Sequence, residues 1–177
     1  MKRLIQSVWV VRAGAKSSAH ELFMKHGFIV LARQKMGDLR LLPKDRQAFY
    51  AILASIHPSW KRKAVSGIGG KFFRFIHEVS VGNVILYPCR LDKRIYFGKA
   101  VGAYFYDDSH GQEFPHRRKV RWEGSFKKSD LSEFAARELG AARTFFRFSK
   151  NLDELIKLTA NCSDSSPTRQ TLPAARA

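Results

Sequence analysis

Residues Ser66 to Ile76 read Ser-Gly-Ile-Gly-Gly-Lys-Phe-Phe-Arg-Phe-Ile, and this stretch restricts the fold more than any other. Three glycines stand ahead of a run that interleaves aromatic and basic side chains. Glycine permits close approach of the backbone and weakens a helix by about 1 kcal/mol relative to alanine. Phe72, Phe73 and Phe75 supply flat apolar faces, while Lys71 and Arg74 supply charge. Such a run can pack a core, and it also suits stacking on a base and pairing with a phosphate. Phe72 stands where a P-loop requires Ser or Thr, which argues against nucleotide hydrolysis.

The elements around this stretch follow from local pattern. The continuous apolar run Val8-Trp9-Val10-Val11 reads as a buried strand. A helix capped by Ser17 or Ser18 runs to about His26, with Gly27 where a helix end favours a left-handed residue. Phe28 to Ala32 is a second strand, and Gly37-Asp38 turns the chain. Pro43 opens a helix with Phe49, Ile52, Leu53 and Ile56 on one face. A further helix starts near Trp60, passes through the glycines and ends near Val79. Its first turn carries Lys61-Arg62-Lys63, the wrong sign for the positive end of a helix dipole.

After Gly82-Asn83 the chain becomes richer in strands. Val84 to Tyr87 is followed by Pro88, which suggests an edge or an irregularity. Leu91 to Arg94 reads as a hairpin loop, and Ile95 to Tyr106 as a long return strand kinked at Gly98 or Gly102. A polar loop runs from Asp107 to Pro115. Lys119 to Trp122 alternates charged and apolar residues. Asp130 and Glu133 have capping-box spacing at a helix start, and Leu139-Gly140 stops that helix. Thr144 to Phe148 is a last strand. The expected organisation is one domain over residues 1–150, a C-terminal helix over 151–160 and a mobile tail over 161–177. Strands and helices do not alternate regularly, so an α+β fold is expected: a small, curved mixed sheet of five or six strands with flanking helices.

Charge narrows the class of partner. The 177 residues hold 32 Lys and Arg against 15 Asp and Glu, a formal net charge of +17. An excess of this size favours polyanions through long-range attraction and counterion release, and nucleic acid leads among them. No apolar run approaches the ~20 residues of a spanning helix. Gln6, Ser7 and Arg12 interrupt what would be the apolar core of a signal peptide, so no membrane partner and a cytoplasmic location are expected. Cys89 and Cys162 have no C-x-x-C partner and read as free thiols. Six His and two Cys show no zinc spacing, and no metal or cofactor is expected.

The order of motifs resembles the PUA-like, EVE-type domain at the N-terminus of some Mrr-like restriction endonucleases. The residues that carry the resemblance begin with Trp9-Val10-Val11-Arg12-Ala13-Gly14, Gly27-Phe28-Ile29-Val30 and Gly37-Asp38-Leu39. Gly70-Lys71-Phe72-Phe73-Arg74-Phe75 and Gly82-Asn83-Val84-Ile85-Leu86-Tyr87 follow. His116-Arg117-Arg118-Lys119-Val120-Arg121-Trp122, Asp130-Leu131-Ser132 and Leu139-Gly140 complete the series. The resemblance spans about Ser7 to Phe148. It implies a PUA-like barrel that reads nucleic acid and accommodates a modified or flipped base in an aromatic-lined pocket. Arg33 stands where that pattern has Trp, and Lys71 where it has Gln.

Two sets of candidate residues result. Trp9, Arg12, Arg33, Phe73, Arg74 and Tyr87 would form a base pocket. Lys61, Arg62, Lys71, His116, Arg117, Arg118, Lys119 and Arg121 would contact phosphates. The expected function is a non-catalytic nucleic-acid-binding module, for DNA in preference to RNA, acting in restriction or anti-phage defence with a separate nuclease or ATPase subunit. An RNA-binding PUA-like protein and an unrecognised nuclease component remain as alternatives. Asp153-Glu154-Leu155-Ile156-Lys157 has the wrong spacing for a nuclease metal site, and no catalytic residue is assigned.

Overall fold

The computed structural model describes residues 7–32, 35–109 and 113–163. It is an α+β fold built on one curled, mixed six-stranded sheet. The elements are β1 (Val8–Val11), α1 (His20–Met24), β2 (Phe28–Leu31), α2 (Arg46–Ile56), α3 (Arg62–His77), β3 (Val84–Pro88) and β4 (Arg94–Tyr106), then β5 (His116–Lys127), α4 (Glu133–Leu139), β6 (Phe145–Phe148) and α5 (Leu152–Ser163). Strand order is β2-β5-β4-β3-β1-β6. β1 and β3 run parallel, and the other neighbours run antiparallel. No helix among the described residues is long and apolar enough to cross a membrane.

β1 lies between β3 and β6 and is buried at all four residues, as its unbroken apolar run requires. Alternation sends its side chains to two cores. Trp9 and Val11 join Phe23 of α1, Phe49 and Leu53 of α2, and Phe72 and Phe75 of α3. Val8 and Val10 join Phe97, Phe126, Phe146 and Phe148 beneath Ala135 and Leu139 of α4 and Leu155 of α5. The sheet is therefore covered on both sides near its centre.

The glycine stretch is helical throughout. Gly69 is buried where α3 crosses α2, and an added Cβ would stand 2.6 Å from Tyr50 Cδ1. The missing side chain lets the two helices approach. Gly98 has the same role in the sheet, where a Cβ would overlap the backbone of Arg121 on β5. The pairing of β4 with β5 shifts register between Phe97 and Gly98 and again between Ala100 and Tyr104. Both expected kink positions fall in these shifts.

Several boundaries differ from the expectations. β3 is an interior strand, and Pro88 is its final residue, where a missing N–H does little harm to the ladder. β5 begins three residues earlier than the alternating pattern suggested, because His116 to Arg118 pair with both β2 and β4. α2 starts after Asp45, whose carboxylate accepts from Gln47 N at 3.1 Å, and not at Pro43. α4 is capped by Ser132, while Asp130 accepts from Lys127 N in the preceding turn. α5 extends to Ser163. The remainder of the expected tail, 164–177, lies outside the described residues.

Candidate nucleic-acid interface

Arg12 follows the last residue of β1 and is half-buried. Its Nε donates to Arg143 O at 3.0 Å, and its Nη2 donates to Leu139 O at 3.2 Å and Ala141 O at 3.0 Å. The guanidinium thus holds together the turn between α4 and β6. Carbonyl oxygens accept from its Nε and Nη2 and leave its positive charge unneutralised. One edge of Arg12 also lines a crevice of about 100 Å³. Val30, Leu31, Ile68 and Phe72 form apolar walls of this crevice, and Lys71 and Thr144 line it as well.

Lys71 and Arg74 are one turn apart on α3, so they share a helix face. Lys71 takes part in none of the ion pairs found among the described residues. Burial lowers its pKa from the ordinary lysine value, and the neighbouring Arg74 lowers it further. Burial likewise lowers Arg74; Glu78 opposes that shift, while Arg46 and Arg143 add to it. Arg12 is lowered by burial first and by Arg90 second. Arg12 and Lys71 therefore meet at one small crevice, with like charge added by Arg90 beside Arg12, by Arg74 beside Lys71 and by Arg143 beside Arg74. Like charges that are partly desolvated raise one another's energy, and an anion placed among them reverses the sign.

The expected base pocket is only partly assembled. Arg12 lines the crevice and Arg74 lies beside Lys71, but Trp9 and Tyr87 do not open onto it. Each is 1% exposed. Trp9 stacks on Phe145 with centroids 5.1 Å apart and donates from Nε1 to Asn83 Oδ1 at 3.1 Å. Tyr87 hydrogen-bonds His20 Nδ1 at 2.9 Å from inside the core. Both are core residues, because both faces of their strands are covered. Phe73 packs edge-on to Phe49 and carries the Arg46 guanidinium 5.0 Å above its ring. Its neighbour Phe72 is the aromatic that lines the crevice. Arg33 lies outside the described residues.

The expected phosphate footprint on β5 is corrected more strongly. His116, Arg117 and Arg118 are 0%, 6% and 3% exposed. Arg118 donates to Phe75 O and Ile76 O at 2.8 Å and to Gly102 O at 3.0 Å, so it caps the C-terminal turn of α3. The Phe75 and Ile76 carbonyls are among the four that a helix end leaves without partners. Arg117 pairs with Asp107 at 2.7 Å and donates to Phe114 O. His116 Nδ1 is hydrogen-bonded to Tyr104 O–H at 2.9 Å. Burial and these internal contacts tie the three side chains into the fold, and of them only Arg117 borders a surface depression. Lys119 and Arg121 are exposed on the same strand, but Lys119 donates to His26 O and Arg121 pairs with Glu123. Lys61 and Arg62 are exposed at the start of α3.

Two features escaped the sequence reading. Arg90 adds exposed positive charge near Arg12, and Arg143 near Arg74, although both are remote from them in sequence. A second depression of about 520 Å³ lies beyond the α4–β6 turn, lined by Phe134, Arg137, Arg143, Phe146, Arg147 and Lys150 together with neighbouring residues. These residues come from a helix, a turn, a strand and a loop, so no charge run marks them. Elsewhere Cys89 Sγ lies 3.7 Å from His20 Nδ1, but the thiol is 5% exposed and the same nitrogen is shared with Tyr87. That pair offers no accessible nucleophile in this conformation.

A family model described as a domain of unknown function (DUF8426) matches residues 9–149 of the chain. No curated protein sequence matches it.

Proposed function

The chain belongs to the DUF8426 family, and we propose that this member is a non-catalytic nucleic-acid-binding module that grips backbone phosphate at the crevice between Arg12 and Lys71. The observation that carries the reading is the meeting of half-buried Arg12 and Lys71 at one crevice, with Arg74 beside Lys71, where neither lining cation enters an ion pair among the described residues. Such a cluster is costly to fold and is relieved by a bound polyanion. The net charge of +17 supports the same class of partner.

The apolar wall of Phe72, Ile68 and Leu31 would lie against the sugar or base attached to the held phosphate. Reading of a modified or flipped base falls to that wall and not to Trp9 or Tyr87, which are buried in the core. The resemblance to the N-terminal domain of Mrr-like restriction endonucleases supports DNA as the polymer, restriction or anti-phage defence as the setting, and a separate nuclease or ATPase subunit as the effector. Fluorescence anisotropy with labelled DNA and RNA tests the proposal. Lys71→Gln with Arg74→Gln lowers affinity at least tenfold, since each hydrogen bond to a charged group contributes about 1.5–3 kcal/mol. Wild-type affinity in the double variant would remove the crevice from the interface.

A further inference from the structure

The turn braced by Arg12 separates two concavities. Thr144 lines the crevice on one side, and Ala141 and Arg143 line the second depression on the other. Arg12 itself hydrogen-bonds the carbonyls of Leu139, Ala141 and Arg143, so the ridge between the two is short and firmly held. The second depression, about 520 Å³, falls within the range of about 300–1,000 Å³ usual for ligand clefts.

Its chemistry is specific. Phe134 is 73% exposed on α4 and belongs to neither core. Glu138 is the lining carboxylate, and it is occupied: it accepts from Ser149 N at 2.8 Å, from Lys150 N at 3.1 Å and from Asn151 Nδ2 at 3.1 Å. Arg137 is balanced by Glu133. Arg143, Arg147 and Lys150 enter none of the ion pairs among the described residues. Arg143 is held over the Phe146 ring at 5.8 Å. The depression therefore combines three unbalanced cations with an aromatic face presented to solvent.

Resting on the reading of the crevice as a phosphate site, we propose that the chain binds single-stranded nucleic acid on a continuous track. The strand passes from the Arg12–Lys71 crevice over the α4–β6 turn into the second depression. Arg143, Arg147 and Lys150 contact successive phosphates, and Phe134 stacks on an unpaired base. Charge complementarity selects a polyanion, and the exposed ring selects the single strand. In a duplex every base face is already covered by its neighbours, whereas an unpaired base can stack on an aromatic side chain.

The test compares short labelled oligothymidine, oligouridine and a DNA duplex of equal length with wild type, Phe134→Ala, and Arg147→Gln combined with Lys150→Gln. All three substituted side chains are exposed, so the fold is retained, as thermal unfolding will check. The expected result is tighter binding of single strands than of duplex by wild type. Phe134→Ala then loses about tenfold in single-strand affinity while duplex affinity is unchanged. The double variant loses about 0.7 of salt slope for each phosphate contact removed. The two single-stranded arms show whether a DNA or an RNA strand is preferred. The track is overturned, with the crevice reading intact, if duplex binds as tightly as single strand and only Lys71 and Arg74 substitutions weaken it. It is also overturned if oligoglutamate displaces the single strand equally from wild type and Phe134→Ala, for the surface would then be a site for acidic peptide. Absence of binding to every nucleic acid would overturn both readings.

Discussion

Arg118→Met separates a structural arginine from a phosphate-binding one. The change keeps most of the aliphatic stem and removes all three donors. Phe75 O, Ile76 O and Gly102 O then lose charge-assisted hydrogen bonds of 2.8 to 3.0 Å. Each carbonyl left buried without a donor costs about 1–3 kcal/mol. Against this, burial already strains the guanidinium, pulling its pKa down to about 10, and removing a desolvated charge returns part of the loss. Three such losses, partly offset in this way, net about 3–5 kcal/mol. For a chain of this size each kcal/mol lowers Tm by about 2–4 °C, so a fall of about 10 °C is expected. Urea unfolding followed by tryptophan fluorescence gives the free energy, and anisotropy well below Tm gives the affinity. The account requires lost stability with unchanged salt slope of binding. Stability within about 1 kcal/mol of wild type, together with a shallower salt slope, would refute the capping argument and return Arg118 to the interface.

Three further outcomes test other links. Burial and Arg74 hold Lys71 below the ordinary lysine pKa, so its charge is lost earlier than usual as pH rises. Nucleic-acid affinity should fall on the alkaline side, and Lys71→Arg should hold its affinity there. The same shift has the opposite sign for folding. A lysine with a depressed folded pKa opposes folding below that pKa, and the penalty is relieved as pH rises from the folded value to the ordinary lysine value. Gly69→Ala should destabilise the protein by about 1–3 kcal/mol through overpacking against Tyr50 and Leu53. Gly67→Ala, where an added Cβ meets open space on the same helix, should stabilise it by about 0.5–1 kcal/mol; paired denaturation curves compare the two.

Local pattern made much of the fold legible. The unbroken Val8–Val11 run marks a strand covered on both faces, and the Phe49–Ile56 spacing marks the buried side of α2. Gly98 marks a sheet irregularity because its missing side chain admits the neighbouring backbone. The candidate site was less legible. Arg12, Lys71 and Arg74 stand in short informative motifs, but Arg90, after β3, and Arg143, before β6, come near them only through the pairing of β1 with β3 and β6. The Phe72/Phe73 assignment turns on helical phase: Val65, Gly69, Phe72 and Phe75 form the buried stripe of α3, which turns Phe73 towards Phe49 and Arg46. The His116–Arg118 run misled for a physical reason. Charge runs are usually solvated, and nothing local in the sequence announces that the end of α3 lies over β5 and requires donors. Phe134 carried no signal because an isolated aromatic on an amphipathic helix reads as core.

The salt dependence of nucleic-acid affinity tests the central claim most directly. Plotted as log Kobs against log salt concentration, wild-type binding should fall linearly. Lys71→Gln with Arg74→Gln should flatten the slope by about 1.4–1.8, which is two phosphate contacts at about 0.7–0.9 each. A wild type that does not bind, or a double variant whose slope and affinity match those of wild type, would contradict the assignment of the Arg12–Lys71 crevice as the phosphate site.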